Sequence, residues 1–216
     1  MSSAAGDASM HPESGGPDLT ASQLGRDDLV LVQRLRDGDA EAVAGLARRH
    51  GDELRLFCRR MLSDATQAED VVQDVFTACC GLSAESLPTS SVRGWLYQLC
   101  RNRCIDALRR RRPAAGALAY ERRGAQRSFE SAVDPLTTPA GKALKRDRAE
   151  RVLAALSGLD EELRAVVLMR YFQNLSREEI SEAIGLGLAG TKARLSKAME
   201  ALRDALGGMG ETHAGG

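Results

Sequence analysis

The stretch CRNRCIDALRRRRP, Cys100–Pro113, holds two cysteines one helical turn apart, an Ile-Asp-x-Leu core and four consecutive arginines stopped by a proline. Alone it reads as a metal site, a nucleic-acid helix or a solvated charged face, and its surroundings decide between them. Upstream, Val92 and Leu96 join Cys100, Cys104 and Leu108 in a repeat of four. That spacing places all five on one drifting stripe of a long helix, from about Val92 to Arg112. Gln98, Arg101, Asn102, Arg109 and Arg112 gather on the opposite side. Pro113 ends the run, since its ring blocks the preceding turn and it carries no N–H. Both cysteines fall on the core side.

The wider composition weakens the metal reading. The five cysteines, Cys58, Cys79, Cys80, Cys100 and Cys104, are an odd set with no CxxC pair. The beginning of the chain has neither the basic start nor the apolar stretch of a signal peptide, which argues against a disulfide framework and for a cytoplasmic protein. Cysteine then serves as a small buried hydrophobe, and neither metal nor cofactor is expected. Three scattered histidines without a carboxylate–histidine cluster offer no catalytic constellation, so an enzyme is not expected either. No apolar run approaches the roughly 20 residues of a membrane span, and no membrane insertion is expected.

Charge is balanced overall, 30 basic against 30 acidic residues, but it is unevenly placed. From Asp64 to Glu85 there are five acids and no base, whereas Arg93 to Arg112 holds seven arginines and one acid. Neighbouring segments of opposite sign suggest surfaces for different partners, although solvated helix faces produce such blocks too.

Abundant Ala, Leu, Arg and Glu with 4% aromatics predict an all-α protein. Periodicity divides it into a mobile tail (1–26), a first helical block (27–112), a linker (113–147), a second block (148–206) and a tail (207–216). In the first block a short helix should end at Gly38, with Asp39 capping the next. Further helices are expected over about 40–50 and 52–62. Thr66 and Glu69 form a capping-box pattern before Val71, Val72, Val75 and Phe76. LSAESLPTSSV, 82–92, reads as a loop. The linker, with three prolines, could span on the order of 100 Å when extended.

In the second block Ser176 and Glu179 repeat the capping-box pattern, Ile180 and Ile184 face inward, and Gly185 closes a short helix. A longer helix follows from near Leu188. This order is that of a helix-turn-helix, whose second helix enters the DNA major groove, or of an ordinary helical hairpin.

Together, AEDVVQDVF (68–76), VRGWLYQLCRNRCIDALRRR (92–111), LSGLDEELRAVVLMRYFQNLSREEISEAIG (156–185) and TKARLSKAMEALR (191–203) resemble a bacterial extracytoplasmic-function (ECF) RNA polymerase sigma factor with only regions 2 and 4. Two motif sets in the right order across a linker make the resemblance specific. It implies a region 2 helical bundle over 27–112 and a region 4 helix-turn-helix over 148–206. It also implies an alternative sigma factor that binds core RNA polymerase and directs initiation at promoter DNA, commonly restrained by an anti-sigma factor. By resemblance Glu69, Asp70, Gln73, Asp74 and Phe76 meet the polymerase. Ser86, Thr89, Ser90, Ser91, Arg101, Asn102, Arg109, Arg110 and Arg112 would serve the −10 element, and Ser176, Arg177, Thr191, Lys192, Arg194 and Lys197 the −35 element.

The segment GLGLAG is rich in glycine for the start of a recognition helix, and Gly190-Thr191 is displaced by one residue from the family's Gly-Thr. A polymerase-independent helix-turn-helix regulator is the competing reading, and it leaves the 68–76 helix unexplained. A cysteine-based redox or metal sensor is a further alternative that the cysteine spacing supports poorly.

Overall fold

The computed structural model describes residues 19–111 and 151–211, and among them every regular element is helical. The expected linker lies outside the described residues. The first block contains α1 (Leu19–Arg36), α2 (Glu41–Leu62), α3 (Ala65–Cys79) and α4 (Val92–Arg111). In the second, residues 151–158 are helical and precede α5 (Glu161–Val167), α6 (Arg177–Ile184) and α7 (Leu188–Glu211).

Local chemistry sets most boundaries. Gly38, at φ +88°, takes the left-handed turn after α1, and Asp39 Oδ1 accepts from Glu41 N–H at 3.0 Å. Ser176 and Glu179 form the expected capping box, and Gly185 at φ +66° closes α6. A side-chain cap of this kind contributes about 1 kcal/mol.

Four expectations are corrected. α1 begins at Leu19, inside the expected tail, because extending a packed helix upstream avoids a second nucleation cost. The helix expected to end near Leu206 runs on to Glu211 through Gly207, Gly208 and Gly210 for the same reason. The proposed break near Gly51 is absent, and α2 is continuous. Leu46, Leu54, Phe57, Cys58, Met61 and Leu62 are all buried along it, and this burial outweighs the roughly 1 kcal/mol cost of one helical glycine. Finally, Asp64 rather than Thr66 caps α3, accepting from Gln67 N–H at 3.0 Å. Ser63 takes a left-handed φ of 55° after α2, and the chain reaches Asp64 extended, two residues before the cap that the pattern suggested.

The first block's core lies between α2, α3 and α4. Phe57 and Tyr97 meet edge to face at 5.1 Å between centroids, and Trp95 and Leu96 complete the wall. Cys58, Cys79, Cys100 and Cys104 are fully buried there, while Cys80 is exposed. A hydrogen bond with Cys100 lowers the Cys58 pKa, but hydrogen bonding to Cys104 and burial push it well above the usual thiol range. Burial above all raises Cys79 to about 12. Such thiols stay protonated and are poor nucleophiles, so they act here as packing atoms.

The two blocks pack together. α6 crosses α4 at Gly94, where an added Cβ would lie 2.7 Å from Glu179 O and 2.9 Å from Glu182 Cβ. Buried Arg164 donates to Leu156 O, Ser157 O and Leu159 O at 2.8–3.2 Å, and to Met61 O of α2 at 3.1 Å. One guanidinium thereby satisfies carbonyls at helix ends in both blocks. The Arg60 guanidinium lies 5.0 Å from the Phe172 ring centroid, on the π-helical turn Leu168–Phe172 that follows α5.

Candidate functional site

The acidic face is built by α3. Ala68, Val71, Val72 and Val75 point into the core, so helical geometry forces Glu69, Asp70, Gln73 and Asp74 outward, all exposed. Phe76 is half-buried at the edge of that face. Glu69 pairs with Arg55 at 3.0 Å and Asp74 with Arg103 at 3.6 Å. Exposed pairs of this kind contribute about 0–1 kcal/mol and break readily for a partner.

Beyond α3, the loop 82–92 contains one short 3-10 turn, Ala84–Ser86, and is pinned from below. Arg36 donates to Leu87 O at 3.2 Å and to Pro88 O at 2.7 Å, and both residues are buried. Ser86, Thr89 and Ser90 consequently stand exposed on an anchored loop. Ser91 Oγ instead accepts from Gly94 N–H at 3.0 Å and helps start α4.

Along α4, Asn102, Arg109 and Arg110 are exposed, and Arg112 lies outside the described residues. Arg101, expected on the open face, is only 9% exposed. Burial lowers its pKa, offset in part by Glu162, whose carboxylate it meets at 3.1 Å. Its Nη1 also donates to Asn102 Oδ1 at 3.0 Å. The reading of the α4 stripe holds, but α5 and α6 cover part of the face left for nucleic acid.

On the helix-turn-helix, Arg177, Lys192 and Lys197 are exposed. The Ser176 hydroxyl is committed to Glu179 N–H at 3.1 Å. Thr191 is fully buried and donates to Gly187 O at 3.1 Å, so the expected DNA contact is corrected to a helix-start contact. This bond also answers the question of the glycine-rich segment: Thr191 ties the first turn of α7 together, and Leu188 is its first residue. Arg194 is half-buried, with Nη1 2.6 Å from Glu162 Oε2.

The periodicity gave no warning of the residues that join the blocks. Arg93 of α4 donates to Glu53 of α2 at 2.6 Å and to Gln173 O at 2.8 Å, and pairs with Glu179 of α6 at 3.4 Å. Glu53 also accepts from His50, which bonds Asp28 through its other ring nitrogen at 2.9 Å. Burial opposes the charged imidazole, yet these two carboxylates more than offset it and raise the pKa to about 9. Beside this network lies a cleft of about 1000 Å³, where the five carboxylates of Asp28, Glu53, Glu178, Glu179 and Glu182 outnumber the cations of Arg49, His50 and Arg93. Its carboxylates repel phosphate, so the basic surfaces, rather than this cleft, suit DNA.

A packed helical bundle with an exposed acidic face, a basic helix and a capped helix-turn-helix define an all-α protein of two helical blocks. The comparisons specify the family. The Sigma-70 region 2 model matches residues 46–114 and the Sigma-70, region 4 model residues 149–202. The chain is 25% identical over 178 residues to the ECF RNA polymerase sigma factor SigW of Bacillus subtilis, covering 81% of this chain and 94% of that protein. It is 26% identical over 181 residues to the RNA polymerase sigma factor CnrH of Cupriavidus metallidurans, covering 82% and 95%. The structure of CnrH with the cytosolic domain of CnrY shares the fold, with a TM-score of 0.56, 23% identity and coverage of 84% and 97%. The chain belongs to the ECF RNA polymerase sigma factors, a family of transcription regulators rather than enzymes. Among the described residues no helix is long and apolar enough to cross a membrane.

Proposed function

We propose that this protein is an alternative sigma factor that docks on core RNA polymerase through the acidic-polar face of α3. It then directs promoter-specific initiation, with the loop 82–92 and α4 at the −10 element and α6–α7 at the −35 element. The observation that carries this reading is the order of the two matched domains, region 2 over 46–114 and region 4 over 149–202. A polymerase-independent regulator leaves the exposed row Glu69, Asp70, Gln73 and Asp74 without a role. An acidic row flanked by half-buried Phe76 is complementary to a basic, partly apolar partner surface.

The chemistry divides between affinity and choice of sequence. Arg109 and Arg110 supply phosphate contacts, which hold the duplex without reading it. Asn102 can pair its amide with a base edge, and the hydroxyls of Ser86, Thr89 and Ser90 offer donors and acceptors to an extruded base. Taking a base out of the stack costs a few kcal/mol, so such a pocket must be held in place beforehand. The Arg36 bonds to Leu87 O and Pro88 O supply that anchoring.

Acting on polymerase places the protein in the cytoplasm. CnrH was captured with the cytosolic domain of CnrY, and we assign this chain a regulatory protein partner of the anti-sigma kind. The test combines purified protein, core RNA polymerase and fragmented genomic DNA, followed by mapping of transcript 5′ ends. Discrete new starts sharing two upstream elements support the assignment. Active core and folded protein without new starts would favour a DNA binder that works apart from polymerase.

A further inference from the structure

The loop 82–92 is held by a helix some fifty residues away in the chain. Among the described residues, backbone pairing stops where Leu87 N–H donates to Ala84 O at 3.4 Å, and resumes with Trp95 N–H on Ser91 O at 3.0 Å. Pro88 has no N–H and cannot close a turn across this gap. Leu87 O and Pro88 O instead accept from a single nitrogen, Arg36 Nη2, at 3.2 and 2.7 Å. Both bonds are partly buried, so losing the donor leaves two carbonyls that water replaces incompletely. Thr89 and Ser90 follow directly and stand exposed.

Arg36 is the last residue of α1, and the position of that helix is fixed further upstream. Val32 and Leu35 are buried, and Leu31 Cδ2 lies only 2.8 Å from where a Cβ on Gly45 of α2 would sit. Asp28, 4% exposed, bonds His50 Nε2 at 2.9 Å and Arg49 Nε at 2.8 Å, both on α2. A carboxylate shared by two side chains of one helix resists both sliding and rotation of α1. Asp28 and Arg36 stand about 12 Å apart along the axis, at 1.5 Å per residue. They fasten the two ends of one rigid strut.

We infer that α1 is the support that sets the −10 loop, with Arg36 positioning Thr89 and Ser90 for an extruded base and Asp28 holding α1 against α2. The inference rests on the sigma-factor reading of the loop 82–92 and gives α1 a part in it. Neither residue touches DNA: Arg36 Nη2 is taken by protein carbonyls, and Asp28 is buried. Both act by raising the fraction of molecules whose hydroxyls already stand where the base arrives. A loop placed correctly in about one molecule in ten holds the preferred base about tenfold more weakly than one always in place. A base that makes no use of the hydroxyls loses nothing, so discrimination falls by the same factor.

The test uses the full chain carrying Arg36→Met, which keeps the apolar stem without the donors, or, separately, Asp28→Asn. The strongest promoter found by transcript mapping supplies three fragments: the parent sequence, one with a −10 base replaced and one with a −35 base replaced. Open complexes formed with core polymerase are scored by the permanganate reactivity of unpaired thymines. Arg36→Met should lower discrimination at the −10 base by up to about tenfold and leave discrimination at the −35 base at the parental value. Asp28→Asn should act in the same direction by less. In the free protein, the backbone order parameters of Thr89 and Ser90 should fall in Arg36→Met from about 0.85 to below about 0.6.

Far-UV circular dichroism checks that each variant folds. Parental −10 discrimination in folded Arg36→Met overturns the inference, as does an equal loss at both elements, which marks general destabilisation. A folded Asp28→Asn that matches the parent overturns α1 as the support. Absence of discrete starts with the parent protein would instead reject the sigma reading, and the order parameters would still decide whether Arg36 sets the loop.

Discussion

The first block and the second bury similar aliphatic side chains but hold their shape differently. In the first, long helices enclose Phe57, Trp95, Tyr97 and the four buried thiols, and its boundaries rest on packing as much as on caps. In the second, α5 and α6 have seven and eight residues, too short to persist without help. They depend on the Asp160 cap, the Ser176–Glu179 box and the carbonyls gathered by Arg164. α7 buries little beyond Thr191, Ala198 and Leu202. The lesson is that a helix left largely open to solvent gives up core, and short-range polar contacts then carry the fold.

The largest expected effect tests the apolar side of this comparison. Phe57→Ala should destabilise the first block by about 3–5 kcal/mol in urea titration, through lost burial and the cavity beneath Tyr97. A loss under about 1 kcal/mol would mean that the aromatic pair does not anchor the core.

Next comes the His50 network, the first block's own polar support. A pKa raised from 6.5 to about 9 means the folded state binds the proton more tightly than the unfolded chain. Its stabilisation is therefore complete below about pH 6.5 and disappears as pH rises through about 9, a loss of order a few kcal/mol. His50→Gln should flatten that part of the stability–pH curve. Persistence of the full slope in the variant would assign it to other groups.

Ser176→Ala removes one half of the capping box and should cost about 1 kcal/mol. Amide exchange should quicken mainly in α6, since α1–α3 make no use of that cap. Uniform quickening across both blocks would mean that they open as one unit.

The smallest stability effect and the clearest binding effect come from Arg109→Ala with Arg110→Ala. Both side chains are exposed, so folding should change by under about 0.5 kcal/mol. Holoenzyme binding to promoter DNA should lose up to about two from its log–log salt slope. An unchanged slope would remove both arginines from the interface.

Much of this was legible because the signals are local. Ser176, Glu179 and Gly185 declare a helix start and stop within ten residues, and the structure reproduces all three. The α3 face was readable because Val71, Val72 and Val75 fix which side is buried. The α4 stripe put Cys100 and Cys104 inside because a repeat of four keeps them in line with Val92, Leu96 and Leu108, and the structure buries Ile105 beside them. Asp64 is not legible locally because the Thr66–Glu69 pair matches a capping box two residues further on, and Ser63 carries no sequence mark of its left-handed turn.

By itself, then, the sequence determined the helices, their two-block order, the segregation of acid on α3 from base on α4, and the family. Those properties follow from periodicity and hydrogen bonds spanning a few residues. Only the tertiary structure decided that Arg101 and Thr191 are buried, that Arg164 binds Met61 O, and that Arg93 and Glu162 fasten the blocks together. These contacts depend on approach between segments distant in the chain: Arg194 and Glu162 are 32 residues apart, Arg93 and Glu179 are 86 apart, and Arg164 and Met61 are 103 apart. A charged side chain carries no local mark of such a partner, because its helix presents the same face to water, DNA or another domain.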